Sequence, residues 1–139
     1  MPKTRLLALA VVTVLLASTG AASAETKTFS GSLKDSPGGK ITFKFSYKRD
    51  KNKKVIRSTK RVSKVKVTGL RSQCGTVLSH DYKGKYRFQG PSFLGNSITD
   101  DGSWNVSASI PSNSKTATGS VGYLKPSCNA NARFTAKTK

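Results

Sequence analysis

The chain has 139 residues, and its 25 lysines and arginines against six aspartates and glutamates give a net charge of +19 with the one histidine neutral. This length allows one domain, and a hydrophobic fraction of 35% is too low for a polytopic membrane protein. Large apolar residues recur after residue 28, which argues against a fully disordered polycation. One histidine, two cysteines and six carboxylates leave little material for an active site, so we expect a protein that is not an enzyme and uses no cofactor.

Residues 1–24 are typical of a secretory signal peptide. Lys3 and Arg5 precede an apolar run at 6–17, and the small residues that end at Ala24 suit cleavage after that position. The apolar run is too short to cross ~30 Å of hydrocarbon as a helix. We therefore expect a single secreted β domain over 25–139, extracellular or associated with the cell envelope, with no transmembrane segment.

Alternation of apolar and polar residues with a period of two continues along the rest of the chain. The runs 29–33 and 40–48 flank a turn at 35–39 (Asp-Ser-Pro-Gly-Gly), which predicts a β-hairpin. Further short runs of strand character follow at 64–68, 76–79, 85–89, 104–110, 117–123 and 132–136. About eight strands separated by Gly, Pro, Asn and Ser predict an all-β fold, an antiparallel β-sandwich or a small barrel. Residues 25–28 are expected to be a frayed end.

The two cysteines, Cys74 and Cys128, both lie in the part expected to be exported. An isolated even pair outside the cytosol favours a disulfide. A bridge over 54 positions stabilises the fold by roughly 4 kcal/mol in the chain-entropy model. The wide spacing gives no support for a redox-active pair, and a zinc site would need two more soft ligands where only His80 is present.

The segment 48–66 is strongly basic, with ten lysines and arginines and one acid, Asp50. We expect 48–54 to be an exposed hairpin tip and 62–68 to lie in the strand that follows. If the strands 40–48 and 62–68 are neighbours, their outward lysines merge into one cationic face that attracts anionic partners. The candidate binding residues are Lys48, Arg49, Lys51, Lys53, Lys54, Arg57, Lys60, Arg61, Lys64 and Lys66.

Two interpretations of this charge stay open. One is binding to an anionic polymer or surface, such as a cell-wall phosphate polymer, an acidic polysaccharide, lipid head groups or nucleic acid, with steep salt dependence. The other is a structural or protein-interaction component of the cell envelope, whose charge keeps a monomeric β protein soluble. Lysine is the main cation, and because lysine acts as a point charge, bidentate phosphate recognition is not indicated.

Aromatic and basic residues alternate at 43–45 and 86–88, as in some nucleic-acid binders. Alternation puts the rings on the strand face opposite the charges, so we expect the rings in the core. His80 and Asp81 are adjacent on one strand and therefore point to opposite faces, which works against joint acid–base catalysis. The Asp-Asp-Gly sequence at 100–102 predicts a turn rather than a calcium loop.

Four short motifs are spread along the chain after residue 28. The first two are F-S-G-S-L with P-G-G and I-T-F-K-F at 29–45, and a lysine-rich V-x-V-x-G-L that leads to Cys74. The others are G-x-Y-x-F-x-G at 84–90 and A-x-G-x-V-x-Y at 117–123, followed by a second cysteine and an aromatic strand. In these motifs the chain resembles small secreted bacterial all-β proteins of uncharacterised function. The resemblance implies a secreted all-β domain with one disulfide, and it brings no activity, ligand or site residue.

Overall fold

The computed structural model describes residues 23–111 and 115–139. All the regular secondary structure assigned in these residues is β-strand. The predicted signal peptide lies outside the described residues except for positions 23 and 24, which begin the first strand. The strands are β1 (Ser23–Leu33), β2 (Lys40–Arg49), β3 (Val55–Arg71), β4 (Val77–Tyr82), β5 (Tyr86–Gln89), β6 (Ser92–Thr99), β7 (Gly102–Ser109), β8 (Thr116–Leu124) and β9 (Ala130–Thr138). Within the described ranges we find no helix with the length and apolar character needed to cross a membrane.

Eight of these strands close into an antiparallel barrel. The order is β2-β1-β9-β8-β7-β6-β5-β3, and β3 pairs back with β2 to complete the ring. The ninth strand, β4, pairs with β3 further along the edge that β5 uses. Of the two predicted architectures, the barrel is therefore correct. The predicted 35–39 turn joins β1 and β2 in a hairpin, as expected.

The core is the inward row of each strand. On β2, Ile41, Phe43, Phe45 and Tyr47 are buried, and the residues between them face outward. The rings of Phe29 and Phe43 stack with centroids 5.1 Å apart, and Phe43 also meets Phe93 and Phe134 edge-on. The prediction that the alternating aromatic rings belong to the core is confirmed: Phe43 and Phe45 are buried, and Tyr86 and Phe88 are partly buried against the core.

Three segments differ from the sequence prediction. Strand β6 was missed because its apolar side chains fall on both faces, with Phe93 inward and Leu94 and Ile98 exposed. Strand β3 begins at Val55, well before the predicted strand start, because backbone pairing with β2 orders its basic first half. Residues 25–28 are not frayed: they pair with residues 44–47 of β2.

The barrel has two chemically different ends. At one end lie the start of β1, the β2–β3 hairpin, residues 110, 111 and 115, and the end of β9; we name this the cationic end. At the other end the turns 72–76 and 125–129 are joined by the predicted disulfide, Cys74–Cys128, with Cα atoms 5.5 Å apart. We name this the disulfide end.

Candidate anion-binding site at the cationic end

A cavity of about 330 Å³ opens at the cationic end, and we name it the mouth pocket. Its apolar lining consists of Phe45, Tyr47, Val55, Ile110 and Pro111. Its charged lining consists of Lys27, Arg49, Lys53, Lys54, Arg57 and Lys60. Among the described residues, the lining of the pocket therefore combines an apolar surface with six cations and contains no carboxylate.

The inward rows of β1 and β2 bring charge into the pocket. On β1 the row that contains Phe29 continues outward to Lys27 and Glu25, and on β2 the row that contains Phe45 and Tyr47 continues to Arg49. Successive side chains of a strand alternate between its two faces, so residues two apart share the inward face. The inward faces of β1 and β2 are thus apolar inside the barrel and charged at the cationic end.

Glu25, Tyr47 and Arg49 form a hydrogen-bonded cluster beside the pocket. Arg49 Nε donates to Glu25 Oε1 at 2.9 Å, and Tyr47 donates its hydroxyl hydrogen to Glu25 Oε2. These two hydrogen bonds, Tyr47 first and Arg49 second, lower the pKa of Glu25 below its usual value. Arg49 Nη1 also donates to the backbone oxygen of Lys53 at 2.9 Å. Its guanidinium is therefore engaged inside the protein.

Lys60 is the one charged side chain that is buried among the described residues, with 8% of its surface exposed. Its Nζ lies 5.8 Å from the centroid of the Phe88 ring. Arg49 and Glu25 form the one salt bridge found within residues 23–111 and 115–139, so Lys60 has no carboxylate partner there. No buried side-chain nitrogen of the described residues lacks a hydrogen-bond partner, so the stem of Lys60 is buried while its ammonium group stays accessible at the pocket.

An irregular stretch of β3 places Lys60 in this position. Between the pairs Ser46–Arg61 and Lys48–Ile56 the two strands lose register, and β3 carries the extra residues. Thr59 Oγ1 donates to the backbone oxygen of Ile56 at 2.6 Å and accepts from the backbone N–H of Lys48 at 2.9 Å. The bulge is therefore held by side-chain hydrogen bonds that the β-ladder cannot supply there.

The hairpin tip is fixed by Asp50. Its Oδ1 accepts from the backbone N–H groups of Asn52 at 2.8 Å and of Lys54 at 3.0 Å. Lys53 takes a positive φ of 62°, which is uncommon outside glycine and asparagine. The tip thereby directs Lys53 and Lys54 to the mouth pocket.

The ten predicted binding residues separate into three groups in the structure. Five of them line the mouth pocket: Arg49, Lys53, Lys54, Arg57 and Lys60. Four others do not: Lys48 and Lys51 are exposed at the same end, and Lys64 and Lys66 are exposed along β3. The tenth, Arg61, donates to the backbone oxygens of Ser58 and Lys60 at 2.7 and 2.8 Å and supports the bulge.

The expected pairing of the strands 40–48 and 62–68 is confirmed, so outward lysines of β2 and β3 lie on one surface. Sequence reasoning missed Lys27 and Glu25, which it placed in a frayed end. It also took Tyr47 only as a core residue. The signal that could have found them is the parity of β1: both share the face of Phe29.

His80 lies away from this site. Its Nε2 is 2.8 Å from Ser97 Oγ, and its ring stacks on Trp104 with centroids 5.0 Å apart. Burial lowers the pKa of His80, although the nearby Asp81 carboxylate opposes this. Asp81 itself is exposed. No cluster of three His, Cys, Asp or Glu side chains suited to a metal ion occurs in residues 23–111 and 115–139.

Comparison of the chain with protein-family models, with curated proteins and with solved structures found no match. The fold and the disulfide implied by the resemblance are present in the structure, and the secreted location stays a prediction. What the protein binds has to be inferred from the chemistry of the cationic end.

Proposed function

We propose that this protein is a secreted, non-catalytic binder of anionic polymers or anionic surfaces, and that it binds through the cationic end. The observation that supports this most is the uneven distribution of charge. Asp35, Asp100 and Asp101 lie in turns of the disulfide end. Glu25 and Asp50 lie at the cationic end, and both are engaged in internal hydrogen bonds.

Most cations of the cationic end have no carboxylate counter-charge within residues 23–111 and 115–139. They include Lys48, Lys51, Lys53, Lys54, Arg57, Lys60, Lys115 and Lys139. Cations at one end of a compact barrel create a field that attracts and orients a polyanion before contact. A polyanion also gains free energy by releasing its condensed counterions. Lysine side chains suit an irregular polymer because they act as point charges on flexible stems.

Binding to a protein partner of the cell envelope is the second candidate. It is favoured by apolar side chains on the outer surface: Leu94 is 62%, Ile98 89% and Leu124 56% exposed. Ile98 and Leu124 are both paired with Ser103 of β7, so they lie in one row across three strands. Such a contact would resist high salt, whereas contacts with a polyanion would not.

A salt series on immobilised polyphosphate, an acidic polysaccharide, DNA and anionic vesicles tests the first candidate. A protein that makes 6–10 phosphate contacts loses about 10³–10⁵ in affinity between about 50 and 200 mM salt. We expect such a loss for at least one of these probes. A charge-matched unrelated protein that elutes with the wild type from every probe would contradict the proposal.

Two triple variants with equal charge changes locate the surface. The first changes Lys51, Lys53 and Lys54 to Glu at the cationic end. The second changes Lys34, Lys125 and Arg133 to Glu, all of them exposed and near the disulfide end. We expect the first variant to lose most of its retention and the second to lose much less. Equal losses would show that net charge alone governs retention.

A further inference from the structure

We propose that the mouth pocket binds a phosphate monoester on a short aliphatic stem, with the phosphate contacting Lys60. This deepens the proposed function and rests on it, because it names the chemical group that the cationic end accepts. Three observations carry it: a lysine with a buried stem and no carboxylate partner among the described residues, the charge of the lining, and an apolar lining beside that charge.

The first observation concerns Lys60. Lys60 is 92% buried as a residue, but no buried side-chain nitrogen of the described residues lacks a hydrogen-bond partner, so its unbonded Nζ reaches solvent in the pocket. Lys60 lines the mouth pocket and no carboxylate of the described residues pairs with it. The ring of Phe88 compensates it in part at 5.8 Å. An anion in the pocket would supply the missing counter-charge.

The second observation concerns the charge that the ligand must carry. Of the six cations in the described lining, Arg49 is paired with Glu25 and Lys27 interacts with the same carboxylate, which leaves four with no carboxylate interaction. A phosphate monoester carries a charge of about −1.5 to −2 at neutral pH and three acceptor oxygens. The guanidinium fork of Arg49 is already engaged, whereas Arg57 also lines the pocket, and an arginine fork binds phosphates as well as carboxylates. Together with the lysines, which act as point charges, Arg57 therefore favours a tetrahedral dianion over a singly charged carboxylate.

The third observation concerns the stem. The apolar lining includes Phe45, Val55 and Ile110, which an inorganic phosphate would leave in contact with water. A cavity of about 330 Å³ is at the small end of ligand pockets, which span about 300–1,000 Å³. An aliphatic stem that covers this surface adds apolar burial of about 25 cal/mol per Å². The same group occurs in free phosphate esters and in lipids with a terminal phosphate.

Calorimetric titration of the wild-type protein with three probes tests the recognition. The probes are hexyl phosphate, inorganic phosphate and hexanoate. We expect hexyl phosphate to bind at least about tenfold more tightly than either other probe, since it alone satisfies both linings. Equal affinities for hexyl phosphate and inorganic phosphate would show that the pocket does not recognise the aliphatic stem. Equal affinities for hexyl phosphate and hexanoate would show that it does not recognise the phosphate group.

A matched pair of variants tests the residue. Lys60→Met removes an ammonium group from the pocket lining, and Lys48→Met removes an exposed one outside the lining at the same end of the barrel. We expect Lys60→Met to weaken hexyl phosphate binding at least about tenfold, the loss of one charge-assisted hydrogen bond, and Lys48→Met to weaken it much less. Equal losses would overturn the pocket as the site.

Backbone amide shifts of the wild type give a readout that does not depend on folding of a variant. Saturable shifts at 47–60 with hexyl phosphate support the site, and shifts confined to other strands overturn it. Vesicles with and without phosphatidic acid distinguish the sources. Vesicle binding that hexyl phosphate displaces indicates a lipid, whereas hexyl phosphate binding without vesicle binding indicates a free ester, and either supports the proposed group.

The two proposals fail in different ways. If the protein is retained on polyanions but does not bind hexyl phosphate, the pocket inference is wrong and the proposed function stands. If it is retained on none of the polyanions or vesicles, the proposed function is wrong, whatever small anions the pocket binds.

Discussion

Lys60 predicts a gain of stability when its charge is removed. Lys60→Met keeps an unbranched stem in the bulge and removes a charge that has no carboxylate partner among the described residues. We expect the free energy of unfolding to rise by about 0.5–1 kcal/mol, because repulsion by the other cations of the pocket lining exceeds the interaction with the Phe88 ring. Urea denaturation measures this. Lys48→Met is the control and should change stability by less than about 0.5 kcal/mol. A loss above that size in Lys60→Met would mean that its charge supports the fold.

His80 predicts a pH dependence of stability. Burial among Tyr82, Ser97 and Trp104 lowers its pKa in the folded state below the usual value of 6.5. The unfolded chain then binds the proton first, so the free energy of unfolding falls as the pH drops below about 6.5. His80→Phe keeps a ring over Trp104 and does not titrate. We expect thermal melts at pH 7 and pH 5 to differ less in this variant than in the wild type. Glu25 does not interfere, since its lowered pKa acts at more acidic pH.

For single residues, the sequence indicated which basic side chains are candidates for binding, but not which of them lie together in space. The density of lysine and arginine singled out residues 48–66, and half of the ten cations predicted there line the mouth pocket. Lys27 comes from another strand, and its position follows from how the barrel closes, which local spacing does not contain. The burial of Lys60 depends on a bulge in β3. Nothing in the alternation of residues 55–61 indicates that bulge.

Among the elements, the β2–β3 hairpin separates the effect of geometry from that of charge. Asp50→Asn and Asp50→Ala both remove one negative charge, but only Asn keeps the oxygen that accepts from the N–H groups of Asn52 and Lys54. We expect Asp50→Ala to be less stable than Asp50→Asn by about 1–2 kcal/mol, since two hydrogen bonds are lost. It should also bind polyanions more weakly, because Lys53 and Lys54 are no longer held in place. Equal retention of the two variants would mean that the hairpin acts only through its charge.

Pairing between β7 and β8 depends on a glycine. A Cβ at Gly119 would lie 2.0 Å from the backbone oxygen of Ser107, which cannot move without breaking the ladder. A Cβ at Gly122 on the same strand would meet only the side chain of Asn105, at 2.9 Å, and that side chain can rotate. We expect Gly119→Ala to cost at least about 2 kcal/mol of stability and Gly122→Ala clearly less, as measured by urea unfolding. The reverse order would show that the strands can separate here.

Strand by strand, the sequence was a good guide wherever one face is apolar and the other polar. The hairpin of β1 and β2 and the strands β7, β8 and β9 follow that pattern. Strand β6 does not, because Leu94 and Ile98 are apolar and exposed. The choice between sandwich and barrel depends on whether β3 returns to β2. The alternation of apolar and polar residues along one strand does not show which distant strand it pairs with.

The described part of the molecule is polarised: cations without a carboxylate partner among the described residues lie at one end of the barrel, and a covalent cross-link closes the other. Three of the six carboxylates lie in turns of the disulfide end. The field of the molecule therefore favours approach of an anion to the mouth pocket. Because the strands connect the two ends through a packed core, stability and binding can be changed separately.

The disulfide gives a test of that separation. Replacing both Cys74 and Cys128 by Ser removes a bridge over 54 positions, and in the chain-entropy model the free energy of unfolding falls by about 4 kcal/mol. We expect a large drop in the thermal midpoint. Well below that midpoint, retention on polyanions and its salt dependence should match the wild type, because the cross-linked turns lie at the end opposite the mouth pocket. Circular dichroism confirms that the variant is folded under the binding conditions. If the folded variant loses its retention, the two ends are coupled through the barrel, and the cationic end is not an independent site.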